Sequence, residues 1–315
     1  MSKRILLLSI SVVLLSACTG IKANKTMIKL MMSAASKEST DPTYADSCEC
    51  RIGIPYVENG NERQVIDVYY ASVNRKNTVL IDIHGGFYIA GTRRKNLFFA
   101  SEFLKEGFDV VLVEYRLCDG QVDVSDELAD CAAALDYVAL HADELGLNGD
   151  AMFVTGDSAG GHLALYLAEG AEDPSLPVHP EHFRAQGVLV NCPAYDYASF
   201  GSTATFTKSA LEFFIGPRWM DTDWLKSMSA RTYLKSYSGP LFVSTCRNDF
   251  IRVQSFILKD DCDALGRPLE FMDIDARDAR VGHVHNVVTP SLPESREVNG
   301  AMAAFMERVL ASAEL

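Results

Sequence analysis

The chain has 315 residues, 48% of them hydrophobic and 23% charged, with 42 acidic residues against 29 Lys and Arg and a formal charge of −13. That is enough apolar material for one large α/β domain and excludes a chain that stays disordered. The acidic balance argues against a nucleic-acid partner and favours solubility without naming a substrate.

The first element in chain order is a leader. In "MSKRILLLSISVVLLSACTG", Lys3 and Arg4 precede an apolar run from Ile5 to Leu15, and small residues then lead to Cys18, the pattern of a signal peptide. The run is about eleven residues long, short of the roughly 20 that cross a bilayer as a helix. Leu15-Ser16-Ala17-Cys18 resembles the lipobox of bacterial lipoproteins. The resemblance implies cleavage after residue 17, lipid on the Cys18 sulfur and acylation of the new amine. The protein would then be exported and held on a lipid membrane, facing the periplasm or the cell exterior. Loss of residues 1–17 removes Lys3 and Arg4 and takes the formal charge from −13 to −15. Residues 18–45 read as a tether and 46–315 as the folded domain. Of eight cysteines, Cys18 leaves seven, which cannot all pair. Cys118, Cys192 and Cys246 lie in or beside apolar runs and read as small buried hydrophobes. Cys48-x-Cys50 has no second pair of matching spacing, so no metal site is predicted.

Strand-like runs follow at 64–71 ("QVIDVYYA"), 78–85 ("TVLIDIHG"), 108–115 ("FDVVLVEY"), 151–157 ("AMFVTGD"), 186–192 ("QGVLVNC"), 240–246 ("PLFVSTC") and 269–275 ("LEFMDID"). Several are apolar nearly throughout, as strands buried on both faces are. Helical patterns alternate with them: "NLFFASEFLKEG", "ELADCAAALDYVALHADELG", "GGHLALYLAEGA", "QSFILKDDCDALG" and "SREVNGAMAAFMERVLASA". The alternation predicts an α/β fold with a mostly parallel sheet of about eight strands, helices on both faces and an antiparallel start at 64–71. A site in such a sheet lies beyond the carboxyl ends of the strands. From 195 to 238 no strand appears, and aromatics crowd the interval: Phe200, Phe206, Phe213, Phe214, Trp219, Trp224, Tyr233 and Tyr237. It follows a strand end directly and reads as a lid or cap over the site.

Gly156-Asp157-Ser158-Ala159-Gly160 satisfies G-x-S-x-G, and with Gly161 it also resembles the surroundings of the trypsin-like protease nucleophile. The strand before it and the helix after it favour the hydrolase elbow, in which Ser158 is exposed on a sharp turn and the Ala159 N–H faces the reacting carbonyl. Upstream, His84-Gly85-Gly86-Phe87 stands at a strand end. The N–H groups of Gly85 and Gly86 can join Ala159 there in an oxyanion hole. Downstream, Asp249 sits just past the strand 240–246 and is the best acid. Asp260, Asp261 and Asp263 read as a solvated helix face, and Asp273 or Asp275 is the reserve. The base must follow, and only His283 and His285 do. Asp157 reads as fixing the elbow.

From about Gln64 onward the order "HGGF", "VEYRL", "ELADCAAALDYV", "GDSAGGHLAL", "RNDFIRVQS", "GHVHNV" resembles the α/β-hydrolases of the hormone-sensitive-lipase and acetyl-esterase type. The resemblance implies hydrolysis of carboxylic esters without a cofactor, Ser158 as nucleophile and Asp249 as acid. It puts the base at His283, with His285 where the family has a packing aromatic, and the oxyanion donors at Gly86 and Phe87. Two departures stand out. Phe87 replaces the family's third glycine, which narrows the acyl pocket or shifts the oxyanion geometry. Cys118-Asp119 replaces Ala-Pro, a change confined to a loop. The expected function is a serine carboxylesterase for short acyl esters on a small molecule or a glycan. A serine peptidase on the same fold and an inactive binding protein are the alternatives.

Overall fold

The computed structural model describes residues 43–58, 60–199, 215 and 217–313. The leader, Cys18, nearly all of the tether and the centre of the 195–238 interval, Phe200 to Phe214, lie outside the described residues. Packed structure already includes Ala45, read as tether: it is fully buried, and its N–H donates to Ser101 Oγ at 3.1 Å.

Eight strands form one sheet: β1 (Cys50–Pro55), β2 (Val65–Tyr69), β3 (Val79–Ile83), β4 (Asp109–Val113), β5 (Met152–Asp157), β6 (Gly187–Asn191), β7 (Leu241–Cys246) and β8 (Leu269–Ile274). They lie in the order β1-β2-β4-β3-β5-β6-β7-β8. β1 and β2 are antiparallel, as are β2 and β4, and every other pair is parallel. The expected α/β architecture and its antiparallel start are therefore present. β1 was not foreseen: it is an edge strand with nearly all its side chains exposed, so "CRIGIP" carries no apolar alternation.

The helices are α1 (Leu97–Lys105), α2 (Val124–Leu140), the single turn α3 (Ala142–Leu145), α4 (Ala159–Glu172), α5 (Thr222–Ser227), α6 (Arg252–Ala264), the single turn α7 (His285–Val288) and α8 (Pro293–Ala313). Side chains alternate across each strand, so the sheet feeds two cores. Ile81, Val111, Val154, Val190 and Val243 point to the face covered by α2 and α4, together with Leu128, Leu135, Leu163 and Leu167. Leu80, Val110, Phe153, Leu189 and Phe242 point to the other face, against Phe99 and Phe103 of α1 and Met302 and Phe305 of α8. Burying each such side chain contributes about 1.5–3 kcal/mol. α2 starts on Asp123, whose carboxylate accepts from the Ser125 N–H within a capping box completed by Asp126. α4 starts without any side-chain cap, and the residue before it is Ser158, with φ 55.

Candidate active site

The carboxyl ends of β3, β5, β6, β7 and β8 open on one edge of the sheet, and Ser158, Asp249, His283 and the loop from His84 to Phe87 lie there. Ser158 follows β5 with φ 55 and ψ −115, a conformation that costs a non-glycine residue on the order of 1–3 kcal/mol. It is held by Ser158 N–H donating to Asn191 C=O at 2.9 Å and by Ala194 N–H donating to Ser158 C=O at 3.1 Å. The turn also needs a glycine after it: a Cβ on Gly160 would stand 1.9 Å from the Ile83 carbonyl oxygen. The G-x-S-x-G pattern thus reflects backbone crowding between β3, β5 and the start of α4.

Asp249, past the end of β7, and His283, in the segment between β8 and α7, reach the same point. His283 Nδ1 lies 2.6 Å from Asp249 Oδ1, and His283 Nε2 lies 2.9 Å from Ser158 Oγ. A carboxylate only accepts, so Nδ1–H donates to Asp249 and Nε2 is left to accept the Ser158 hydroxyl proton. Asp249 also accepts from Thr245 Oγ1 at 2.9 Å and from the Ile251 N–H at 3.0 Å. Burial alone would raise its pKa, but the His283 charge and these hydrogen bonds outweigh burial and hold the carboxyl below its ordinary value. The Phe250 ring packs on the His283 imidazole at 4.2 Å between centroids.

His285 is only two residues away and points elsewhere. It is buried against α8, with Nδ1 3.0 Å from Ser295 Oγ, and burial lowers its pKa to about 4. The reserve acids face outward: Asp273 is paired with Arg252, and Asp275 with Arg247 at 3.4 Å. Asp261, read as solvated, instead accepts from Tyr195 Oη at 3.1 Å and from Arg231 Nε at 2.8 Å, tying α6 to the 195–238 interval. The described part of that interval packs on α4: Met228 C=O accepts from His162 Nε2 at 2.7 Å, and Ser227 C=O accepts from Tyr166 Oη at 3.0 Å.

The oxyanion loop departs from the expectation at Gly85. Its N–H donates to Asp157 Oδ1 at 3.0 Å, so it is turned into the protein and does not face Ser158. Gly86, with φ 140, and Ala159, the first residue of α4, have no hydrogen-bond acceptor for their N–H groups among the described residues. Phe87 and Tyr88 take φ 56 and 66, left-handed values that explain why a glycine suits position 87. The Phe87 ring stacks on Phe250 at 5.7 Å, and Tyr88 C=O accepts from the Cys118 N–H at 2.8 Å. The Cys118-Asp119 departure therefore touches the oxyanion loop directly.

Sequence reasoning missed the groups behind this loop. Asn96 Nδ2 lies 3.0 Å from Asp157 Oδ1 and 2.9 Å from Asp82 Oδ2, bridging two buried carboxyls. Burial raises both pKa values, and at Asp82 repulsion from Asp157 adds to it. The available signal was Asp82 inside an otherwise apolar strand. All seven cysteines from Cys48 to Cys262 are free, and Cys118, Cys192 and Cys246 are buried.

The fold is that of the α/β-hydrolase class, and the Ser158–His283–Asp249 arrangement has the geometry that serine hydrolases of this class use on carboxylic esters. The family model BD-FAE matches residues 66–259, more than half of the chain, and the chain belongs to that family. It is 31% identical over 168 residues to the non-reducing polyketide synthase ausA of Aspergillus calidoustus, a match covering 49% of this chain and 6% of that protein. It is 26% identical over 201 residues to esterase LipQ of Mycobacterium tuberculosis, covering 60% of this chain and 47% of that one. The chain thus spans a small part of the first relative and about half of the second. Its fold matches that of Esterase B from Lactobacillus rhamnosis with a TM-score of 0.78 at 22% identity, over 99% of this chain and 97% of that one.

Replacing His283 with Ala should lower turnover by about 10⁴-fold or more. His285→Ala should keep most turnover per folded molecule, and kinetics on a chromogenic ester with both variants checks this. Burial, and then repulsion from Asp157, raise the Asp82 pKa in the folded state above that of the unfolded chain, which ionises it at an ordinary carboxylate pH. The folded state therefore binds the extra proton, and stability falls as pH rises above that value. Asp82→Asn removes this dependence, so its gain in melting temperature over the natural chain should be larger at pH 8 than at pH 5.

Proposed function

We propose that the protein is a serine carboxylesterase cleaving short, acetyl-like acyl esters through an acyl-enzyme, with Ser158 as nucleophile, His283 as general base and Asp249 as its orienting acid. The observation that carries this reading is the single imidazole hydrogen-bonded to Ser158 Oγ on one side and Asp249 on the other. His283 Nε2 takes the hydroxyl proton as Oγ attacks the ester carbonyl, and Asp249 stabilises the imidazolium that forms. The N–H groups of Gly86, Phe87 and Ala159 receive the oxyanion, where one donor is worth about 3 kcal/mol. His283 then gives its proton to the leaving alcohol, and water repeats the sequence on the acyl-enzyme. Phe87, standing where a glycine would leave room, supports a short acyl group, and the 195–238 interval serves as the lid or pocket wall. Activity on p-nitrophenyl acetate should vanish in Ser158→Ala, and rates should fall from acetyl to octanoyl esters. Cleavage of aminoacyl anilides alone would favour a peptidase, and inertness toward both would favour a binding protein.

We further infer from the leader and Cys18 that the esterase is exported and lipid-anchored, a location suited to acetyl esters of polysaccharide. Among the described residues no helix is long and apolar enough to cross a membrane. Cys18→Ser should move the protein from the membrane fraction to the soluble fraction, and persistent membrane attachment would overturn the anchor.

A further inference from the structure

β6 lies between the strand that leads to Ser158 and the strand that leads to Asp249, and supplies neither residue. Yet Asn191, its last residue, and Cys192 touch the surroundings of all three active-site groups. Asn191 C=O accepts from the Ser158 N–H at 2.9 Å, and Cys192 N–H donates to Ser244 C=O of β7 at 2.7 Å. Asn191 Oδ1 accepts from Ser244 Oγ at 2.7 Å and from Asn286 Nδ2 at 2.8 Å, the latter on α7, just past the base. Cys192 Sγ accepts from the Val284 N–H at 3.3 Å. It also lies with the Asp249 carboxylate and a His283 ring nitrogen in a group whose atoms are all within 4.8 Å of one another.

The backbone makes this contact more telling. Cys192 has φ 46 and Val284 has φ 50, so two non-glycine residues in left-handed conformations meet across the sulfur–amide contact. Such conformations persist where the surroundings over-determine them, and they cluster at functional sites. Burial, and then the Asp249 carboxylate, keep the Cys192 thiol protonated, so its sulfur meets the Val284 amide as a neutral acceptor.

We propose that Asn191 and Cys192 are positioning residues that hold the base-bearing segment against the acid-bearing strand, so that one imidazole spans Asp249 and Ser158. The proposal rests on the reading of Ser158, His283 and Asp249 as a triad. Neither residue meets substrate, so loss of either falls on turnover and leaves ground-state binding nearly alone.

The test is the rate at which a fluorophosphonate labels Ser158, read by intact mass, with kcat and KM on p-nitrophenyl acetate normalised to labelled sites. Cys192→Ala should label and turn over about ten- to hundredfold more slowly, with KM little changed. Cys192→Ser, which keeps a shorter acceptor for Val284, should recover much of the rate. Asn191→Leu, which removes the acceptor at similar volume, should behave like Cys192→Ala and decides the matter if Cys192→Ala does not fold. Folded variants with the natural labelling rate and kcat per labelled site would overturn the positioning role, even if their melting temperatures drop. A natural chain whose Ser158 resists the fluorophosphonate would sink the triad reading and this proposal together, an outcome distinct from the first.

Discussion

The left-handed turn at Ser158 is the constraint on which the rest of the site depends. A serine at φ 55 between β5 and α4 leaves no room for side chains two residues before and after it, where Gly156 faces the Gly160 carbonyl and Gly160 the Ile83 carbonyl. The close approach of β3 in turn places the His84-Gly85-Gly86-Phe87 loop beside the hydroxyl, because β3 and β5 pair in parallel up to Ile83 and Gly156. Asp249 and His283 come from β7 and β8, farther across the sheet, and must reach back over the end of β6. The end of β6 is consequently crowded with hydrogen bonds although it carries no reacting group.

Two buried aspartates serve the same serine, and their pKa values are displaced in opposite directions. Asp249 is surrounded by donors, His283, Thr245 and the Ile251 amide, and its carboxyl is held below the ordinary value. Asp157 has Gly85 and Asn96 as donors but a second carboxyl, Asp82, across the Asn96 amide, and burial leaves its pKa raised. The first can stabilise a developing imidazolium, and the second anchors the oxyanion loop. Environment makes the difference, since the residue type is the same.

Much of the fold was legible because the six strands β2 to β7 are buried and therefore read as apolar runs, and the helices between them keep an apolar face. β1 was not legible, being an exposed edge whose order comes from pairing with β2. The site was legible where chemistry needs rare combinations, as in G-x-S-x-G after a strand or an Asp past a later strand end. It was illegible where ordinary residues act through long-range contacts. Asn96 reaches across 61 residues to Asp157, and Asn191 reaches across 95 to Asn286. Gly85 was misread for a related reason: its N–H direction depends on Asp157, 72 residues away.

By itself the sequence determined the alternation of strand and helix, the order of nucleophile, acid and candidate bases, and the family to which those landmarks point, because local apolar pattern and chain order survive without coordinates. Which of two histidines meets the serine was a tertiary matter. His283 and His285 are nearly adjacent and equally polar, but Val284 between them takes φ 50, sending one ring to Ser158 and the other to Ser295. That backbone angle is imposed by contacts arriving from β6 and α8, and no short stretch of sequence contains them.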